Sequence, residues 1–236
     1  YEIYQCDWSS DVCSSDLLSI RNACGLPEAI GDPMHPPEII RPAARATEKR
    51  IIAMGASTGG TEALFSILKR LPTALPGIVI VQHIPPVFSG MFAERMDRAT
   101  GFHVKEAENG DLVEAGKVLI APGNMHLRVK KSGGRLLAEV SSGEKVSGQR
   151  PSVDVLFESV AAACGGKAVG VILTGMGSDG ARGLLAMRNA GARTIGQNAA
   201  SCVVYGMPKA AYDLGAVEKQ FSLSSIPQAI FAALAR

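Results

Sequence analysis

A chain of 236 residues, 47% of them hydrophobic, can bury one large core or two modest ones. Its 24 basic and 22 acidic side chains leave a net charge of +2, which argues against the phosphate backbone of a nucleic acid as partner. No apolar run reaches the roughly 18 residues a membrane span needs, and the N-terminus lacks the basic start and apolar core of a signal peptide, so the chain reads as cytoplasmic and not membrane-inserted.

Residues 1–48 read as a segment outside any domain. YEIYQCDWSSDVCSSDL carries the only tryptophan, repeats an S-S-D element without a helical or strand period, and resembles a translated sequencing adaptor. Residues 25–48 hold Pro27, Pro33, Pro36, Pro37 and Pro42 and suit a linker. Three of the five cysteines (Cys6, Cys13, Cys24) fall in this part without metal-ligand spacing, and Cys164 and Cys202 lie in apolar surroundings. All five read as reduced thiols, with no metal site.

The folded unit is expected from Lys49 to the C-terminus. Ile51, Ile52 and Met54 form a short apolar run, Gly55, Gly59 and Gly60 punctuate it, and Leu64, Ile67, Leu68 and Leu71 recur at helical spacing. This is a strand, a turn and a helix. Within it Gly55-Ala56-Ser57-Thr58-Gly59 fits G-x-S-x-G, in which small residues let a strand turn sharply into a helix and leave a serine hydroxyl exposed. A glycine-rich turn before a helix can equally cradle a phosphate on backbone N–H groups, so a nucleotide-binding protein is the alternative reading.

The run at 77–86, GIVIVQHIPP, suits a strand buried on both faces of a parallel sheet and ends at His83. A helix over 89–99 follows, then strands at 102–105 and 117–121. Residues 125–140 alternate on either side of Ser132-Gly133-Gly134, a hairpin signal. Residues 152–164 are helical with Ser152 as N-cap. AVGVILTGMGSDGARGLLAMRNAG then repeats the opening logic, a buried strand over 168–173, a glycine-rich loop, and a helix to about Ala190 with Asp179 at its start. A strand at 193–196, a helix near 208–214 and a closing helix at 226–234 complete a doubly wound, mostly parallel α/β sheet, Rossmann-like and three-layered, with an antiparallel hairpin.

Sites in such sheets form beyond the carboxyl ends of the strands, and Ser57, His83 and Asp179 each follow a buried strand. A serine hydroxyl becomes a nucleophile when a histidine takes its proton, and the histidine needs an acid to fix its tautomer and stabilise its charged form. The order Ser, His, Asp differs from the Ser, Asp/Glu, His order of α/β-hydrolases, and no histidine follows His126, so a standard α/β-hydrolase using Asp179 is excluded. Of the other histidines, His35 lies in the linker, and His103 and His126 start strands, the wrong end if those strands are parallel. His126 follows the loop APGNM and could stand behind the site or face substrate. The nucleotide reading lacks G-x-G-x-x-G, lacks G-x-x-x-x-G-K-[ST], and has His83 where an acidic residue should end the second strand. A purely structural or adaptor role ranks third, since it leaves the matched chemistry at three strand ends unexplained.

GASTGG (55–60), VQHIP (81–85), APGN (121–124), RPSVDVLF (150–157), TGMGSDGARG (174–183) and SCVVYGMPKAA (201–211) resemble the catalytic domain of the chemotaxis protein-glutamate methylesterases (CheB), over residues 50 to about 235. The resemblance implies hydrolysis of glutamate methyl esters on methyl-accepting chemoreceptors, often with deamidation of receptor glutamines, and no cofactor. Chemotaxis signalling proteins are further partners it allows. It puts the family's serine, histidine and aspartate on Ser57, His83 and Asp179 and its neighbouring motif residues on Thr58 and Met176, the expected oxyanion donors. Two departures stand out. Residues 1–48 cannot hold the receiver domain such enzymes usually carry, and Gln197-Asn198-Ala199 stands where acidic residues commonly follow the glutamine.

Overall fold

The computed structural model describes residues 50–235. The expected linker over 1–48, the expected absence of a receiver domain, and Cys6, Cys13, Cys24 and His35 lie outside the described residues. In chain order the strands are β1 (Ile51–Ala56), β2 (Ile78–Gln82), β3 (His103–Glu106), β4 (Lys117–Ile120), β5 (His126–Ser132), β6 (Arg135–Ser141), β7 (Ala168–Ile172), β8 (Arg193–Gln197) and β9 (Lys219–Phe221). The helices are α1 (Gly60–Leu68), α2 (Pro86–Ala99), α3 (Val153–Cys164), α4 (Ala181–Asn189), α5 (Met207–Asp213) and α6 (Ile226–Leu234).

Seven strands form one sheet in the order β3-β4-β2-β1-β7-β8-β9, and every pairing in it is parallel. β1 is central and buried along its whole length, as an unbroken apolar run demands when both faces are covered. Its side chains alternate between two cores. Ile52, Met54 and Ala56 pack with Leu64 and Ile67 of α1, Phe92 and Met96 of α2, and Ile226 and Ile230 of α6. Ile51 and Ala53 belong to the other core, with Leu156 and Phe157 of α3, Leu184 and Met187 of α4, Met207 of α5, and the hairpin's Leu127 and Ala138. The result is three layers, with each fully buried Ile, Leu, Met or Phe contributing about 1.5–3 kcal/mol of transfer free energy.

This layering positions the site. β1 and β7 are neighbours, but the chain leaving β1 enters α1 on one face and the chain leaving β7 enters α4 on the opposite face. Their loops therefore diverge at the carboxyl edge, the switch point at which open α/β sheets open a crevice. β2, on the other side of β1, ends at the same level, with Ala56 in register with Gln82.

Three details differ from the sequence expectation. α2 begins at Pro86 rather than Ser89, since proline at the first helical turn sacrifices no hydrogen bond. Ser89 serves a different purpose, its hydroxyl donating to Pro86 O (2.7 Å) and accepting from Gly123 N–H (2.9 Å), which ties the APGN loop to α2. β9 escaped the pattern reading because three residues are too few to display a period. β5 and β6 pair antiparallel, as the hairpin signal predicts, but stand outside the main sheet, so a parallel-strand argument about site location applies to His103, at the exposed start of β3, and not to His126.

Candidate active site at the switch point

Ser57 is the first residue beyond β1. Its N–H donates to Thr174 O beyond β7 (3.0 Å), and its carbonyl accepts from Gly60 N–H (2.7 Å) and from Gln82 Nε2 (2.9 Å). The turn is possible because Gly59, the N-cap of α1, takes φ 77°, a left-handed conformation that a side chain would strain. Ser57 is thus not a helix cap, and among the described residues its hydroxyl has no hydrogen-bond partner. Gly175, from the loop after β7, presses on it. A Cβ there would lie 2.7 Å from Ser57 Cβ and 2.4 Å from Met207 Sδ, so only glycine allows this approach.

His83 follows β2 directly, and its N–H donates to Ala56 O (3.1 Å), which sets it beside Ser57 across one strand spacing. Its Nε2 lies 2.7 Å from Asp179 Oδ2. Its Nδ1 is buried and, among the described residues, has no partner. The structure therefore joins His83 to Asp179 and sets Ser57 alongside, with no hydrogen bond from the serine hydroxyl to the ring. Gln82, 3% exposed, fixes the two loops together by donating through Nε2 to the carbonyls of both Ser57 and His83 (2.9 and 3.1 Å).

Asp179 does not cap α4, whose N-cap is Gly180. Its carboxylate points instead to the start of α3. Oδ2 accepts from Val153 N–H (2.7 Å) as well as His83, and Oδ1 accepts from Ser152 Oγ–H (2.7 Å) and Asp154 N–H (3.2 Å). An anion at a helix N-terminus meets unpaired N–H groups and the positive end of the helix dipole. Burial, the largest influence, would raise the pKa of a carboxyl only 3% exposed. The donors His83, Ser152, Val153 and Asp154 outweigh it and hold Asp179 below its ordinary value. α3 returns the favour to α4: buried Asp154 accepts from Gly183 N–H (2.8 Å) in α4's first turn and pairs with Arg182 (3.4 Å). Each helix thus receives a carboxylate from the other's segment.

Thr58 and Met176 flank Ser57 on the loops after β1 and β7, and among the described residues neither backbone N–H has an acceptor. Met176 is 72% exposed. Thr174 links these loops, its hydroxyl donating to Thr58 O (2.9 Å) and accepting from Val204 N–H (2.9 Å), while its N–H donates to Gln197 Oε1 (2.8 Å). Asn198, at the departure from the usual acidic pattern, accepts at Oδ1 from Ser201 N–H (3.2 Å) and Ser201 Oγ (2.8 Å). That is a task for an acceptor oxygen, which an amide supplies as a carboxylate would.

Sequence reasoning missed the parts played by Gln82, Ser152, Asp154 and Thr174. The available signal was chemical. Gln82 and Thr174 are polar residues closing otherwise apolar strand runs, and Asp154 and Ser152 are polar positions in a segment that turns out fully buried. Cys164 and Cys202 are free thiols pushed up to about 11, chiefly by burial, and among the described residues no three His, Cys, Asp or Glu side chains gather as a metal site would need.

Fold and switch-point geometry define a three-layer α/β protein whose polar groups converge from the ends of β1, β2 and β7, a constellation arranged differently from that of the α/β-hydrolases. The chain belongs to the CheB methylesterase family, whose family model matches residues 52–230. It is 58% identical over 188 residues to protein-glutamate methylesterase/protein-glutamine glutaminase 2 of Syntrophomonas wolfei, covering 80% of this chain and 55% of that protein. It is 60% identical over 181 residues to protein-glutamate methylesterase/protein-glutamine glutaminase 1 of Caulobacter vibrioides, covering 76% and 52%. The chain thus spans about half the length of the curated relatives it matches. The crystal structure of the Thermotoga maritima CheB methylesterase catalytic domain superposes with a TM-score of 0.76 at 36% identity, covering 79% of this chain and 99% of that one.

Proposed function

We propose that this chain is a serine hydrolase that removes methyl groups from glutamate methyl esters on chemoreceptors and deamidates receptor glutamines. The observation that carries the mechanism is the 2.7 Å contact of Asp179 with His83 Nε2, which leaves Nδ1 buried and, among the described residues, without a partner, on a residue one strand spacing from Ser57. Asp179 accepts at Nε2, so that nitrogen holds the proton and Nδ1 is the basic one. Trypsin-like triads use the ring the other way round.

Nδ1 takes the Ser57 proton as Oγ attacks the ester carbonyl, and Asp179 stabilises the imidazolium that forms. The charge developing on the carbonyl oxygen meets the free N–H groups of Thr58 and Met176, each such donor being worth about 3 kcal/mol in a preorganised site. Collapse of the tetrahedral adduct expels the methoxy group, which leaves as methanol with the proton from Nδ1. Water then attacks the acyl-enzyme with His83 again as base, releasing the glutamate carboxylate and Ser57. A glutamine side chain follows the same path with ammonia as the leaving group.

Ser57→Ala and His83→Ala are each expected to abolish methanol release from a methylated chemoreceptor fragment while thermal unfolding stays cooperative. Retained turnover in either variant refutes the assignment.

A further inference from the structure

Ser152 is fully buried, His126 is 2% exposed, and together with Asp179 they form a continuous polar chain inside an otherwise apolar layer. Its hydrogen bonds diverge from Ser152, whose hydroxyl donates to Asp179 and whose backbone N–H donates to His126. The Asp179 carboxylate accepts at Oδ1 from Ser152 Oγ–H (2.7 Å). Ser152 N–H can only donate, so His126 Nδ1, 3.3 Å away, is the acceptor. The proton of a neutral His126 then sits on Nε2 and donates to Glu144 O (2.8 Å). Every proton in the chain is assigned by its neighbours, and the Ser152 hydroxyl bears on the carboxylate that holds His83.

Ser152 also stands at the N-cap of α3, and helix capping alone would explain a serine there. The distances argue for more. A capping hydroxyl ordinarily makes its good contact to an N–H of the first turn. Here the contact to Val155 N–H is 3.5 Å, whereas the one to Asp179 is 2.7 Å. The N–H groups of Val153 and Asp154 are taken by Asp179 itself. The hydroxyl's proton therefore goes to the aspartate, its lone pair makes only the long cap contact to Val155, and the aspartate takes the two N–H groups before it.

We infer that Ser152, with His126 behind it, is a positioning residue for Asp179 and through it for the base His83. The inference rests on the proposed roles of Ser57, His83 and Asp179. Without the Ser152 hydroxyl, Oδ1 retains only the 3.2 Å contact to Asp154 N–H, and the carboxylate, still against Nε2 through Oδ2, is held less firmly. The carboxylate also keeps more of its charge for His83, which favours the protonated ring, so the acid limb of the kcat/KM profile moves to higher pH.

The test uses the whole chain with a chemoreceptor fragment carrying glutamate methyl esters as substrate, and follows methanol release and thermal midpoint in Ser152→Ala, Asp179→Asn and the double variant. Ser152→Ala is expected to lower kcat by up to about 100-fold with KM unchanged, the range a misplaced catalytic group can cost, and to raise the acid limb. In the Asp179→Asn background the same substitution should add nothing further to the loss of kcat, because the two act as a unit. An equal factor in both backgrounds, or a wild-type pH profile in Ser152→Ala, overturns the inference and leaves a helix cap. His126→Gln, which keeps an acceptor for Ser152 N–H, should retain more kcat than His126→Leu. Wild-type kcat in His126→Leu removes His126 from the chain. Ser57→Ala in parallel separates the two levels: activity surviving there defeats the hydrolase mechanism itself, whereas its loss beside an unaffected Ser152→Ala defeats only the positioning role.

Discussion

Asp179 receives four hydrogen bonds, from one imidazole, one hydroxyl and two backbone N–H groups, and each favours its ionised form. Asp179→Asn keeps the shape but puts an amide where two N–H donors and a ring N–H converge, and it favours the wrong tautomer of His83. Turnover should fall by as much as ~10⁴, by the measure of the trypsin-like case, and a loss below about tenfold would mean that another acid serves. The same carboxyl makes stability depend on pH. Its pKa is lower folded than unfolded, so its contribution is complete above the unfolded value, near the ordinary 3.8, and disappears as pH falls through the folded value. Chemical denaturation of the Asp179→Asn variant should therefore show a shallower loss of stability below about pH 4 than the parent. An identical acid slope would show that the folded state does not depress this group.

The elements carrying Ser57 and His83 could be read from the sequence, because a strand buried on both faces is an unbroken apolar run and a polar residue marks where it ends. The G-x-S-x-G spacing, the hairpin around Gly133-Gly134 and the N-cap at Ser152 were legible for the same reason, each being local chemistry. What lay beyond reach is the exchange between α3 and α4. No local pattern reveals that Asp179, written at the head of one helix, caps another, or that Asp154 repays it. Those are contacts across 25 to 29 residues, set by how two helices lie on one face of the sheet. They predict that Asp154→Ala leaves Gly183 N–H buried without an acceptor, at about 1–3 kcal/mol. The thermal midpoint should then drop by about 2–4 °C for each kcal/mol, measured by calorimetry, with turnover falling as α4 and Asp179 shift. An unchanged midpoint would mean that water replaces the carboxylate at no cost.

At the scale of the molecule, two cavities lie away from the switch point. One of about 210 Å³ is lined by Arg50, Lys167 and Arg193 at the opposite end of the strands, and one of about 400 Å³ lies between β8, β9 and α6. Beside Ser57 the chain instead exposes apolar surface, Met176 and Val203 at 72% each. A small methyl ester gains little from such a surface by itself, whereas a receptor helix can make contacts remote from the scissile bond and use them in the transition state. Methanol release at matched salt should therefore show a much higher kcat/KM on a methylated receptor fragment than on free glutamate methyl ester. Equal efficiency on both would favour a general small-ester hydrolase.

The place of β1 at the centre of the sheet has a consequence in time. β2 covers one of its edges early in synthesis, but the other edge is met by β7, whose first pair joins Ile51 to Ala168. At roughly 5–20 residues per second the ribosome needs about 6–23 s to make the intervening chain. Throughout that interval a wholly apolar strand is an open edge, the kind of template on which chains join one another. His83 waits almost as long for its partner, since Asp179 lies 96 residues further on. A strand buried along its whole length in the folded molecule is, on the ribosome, one that needs cover from a chaperone.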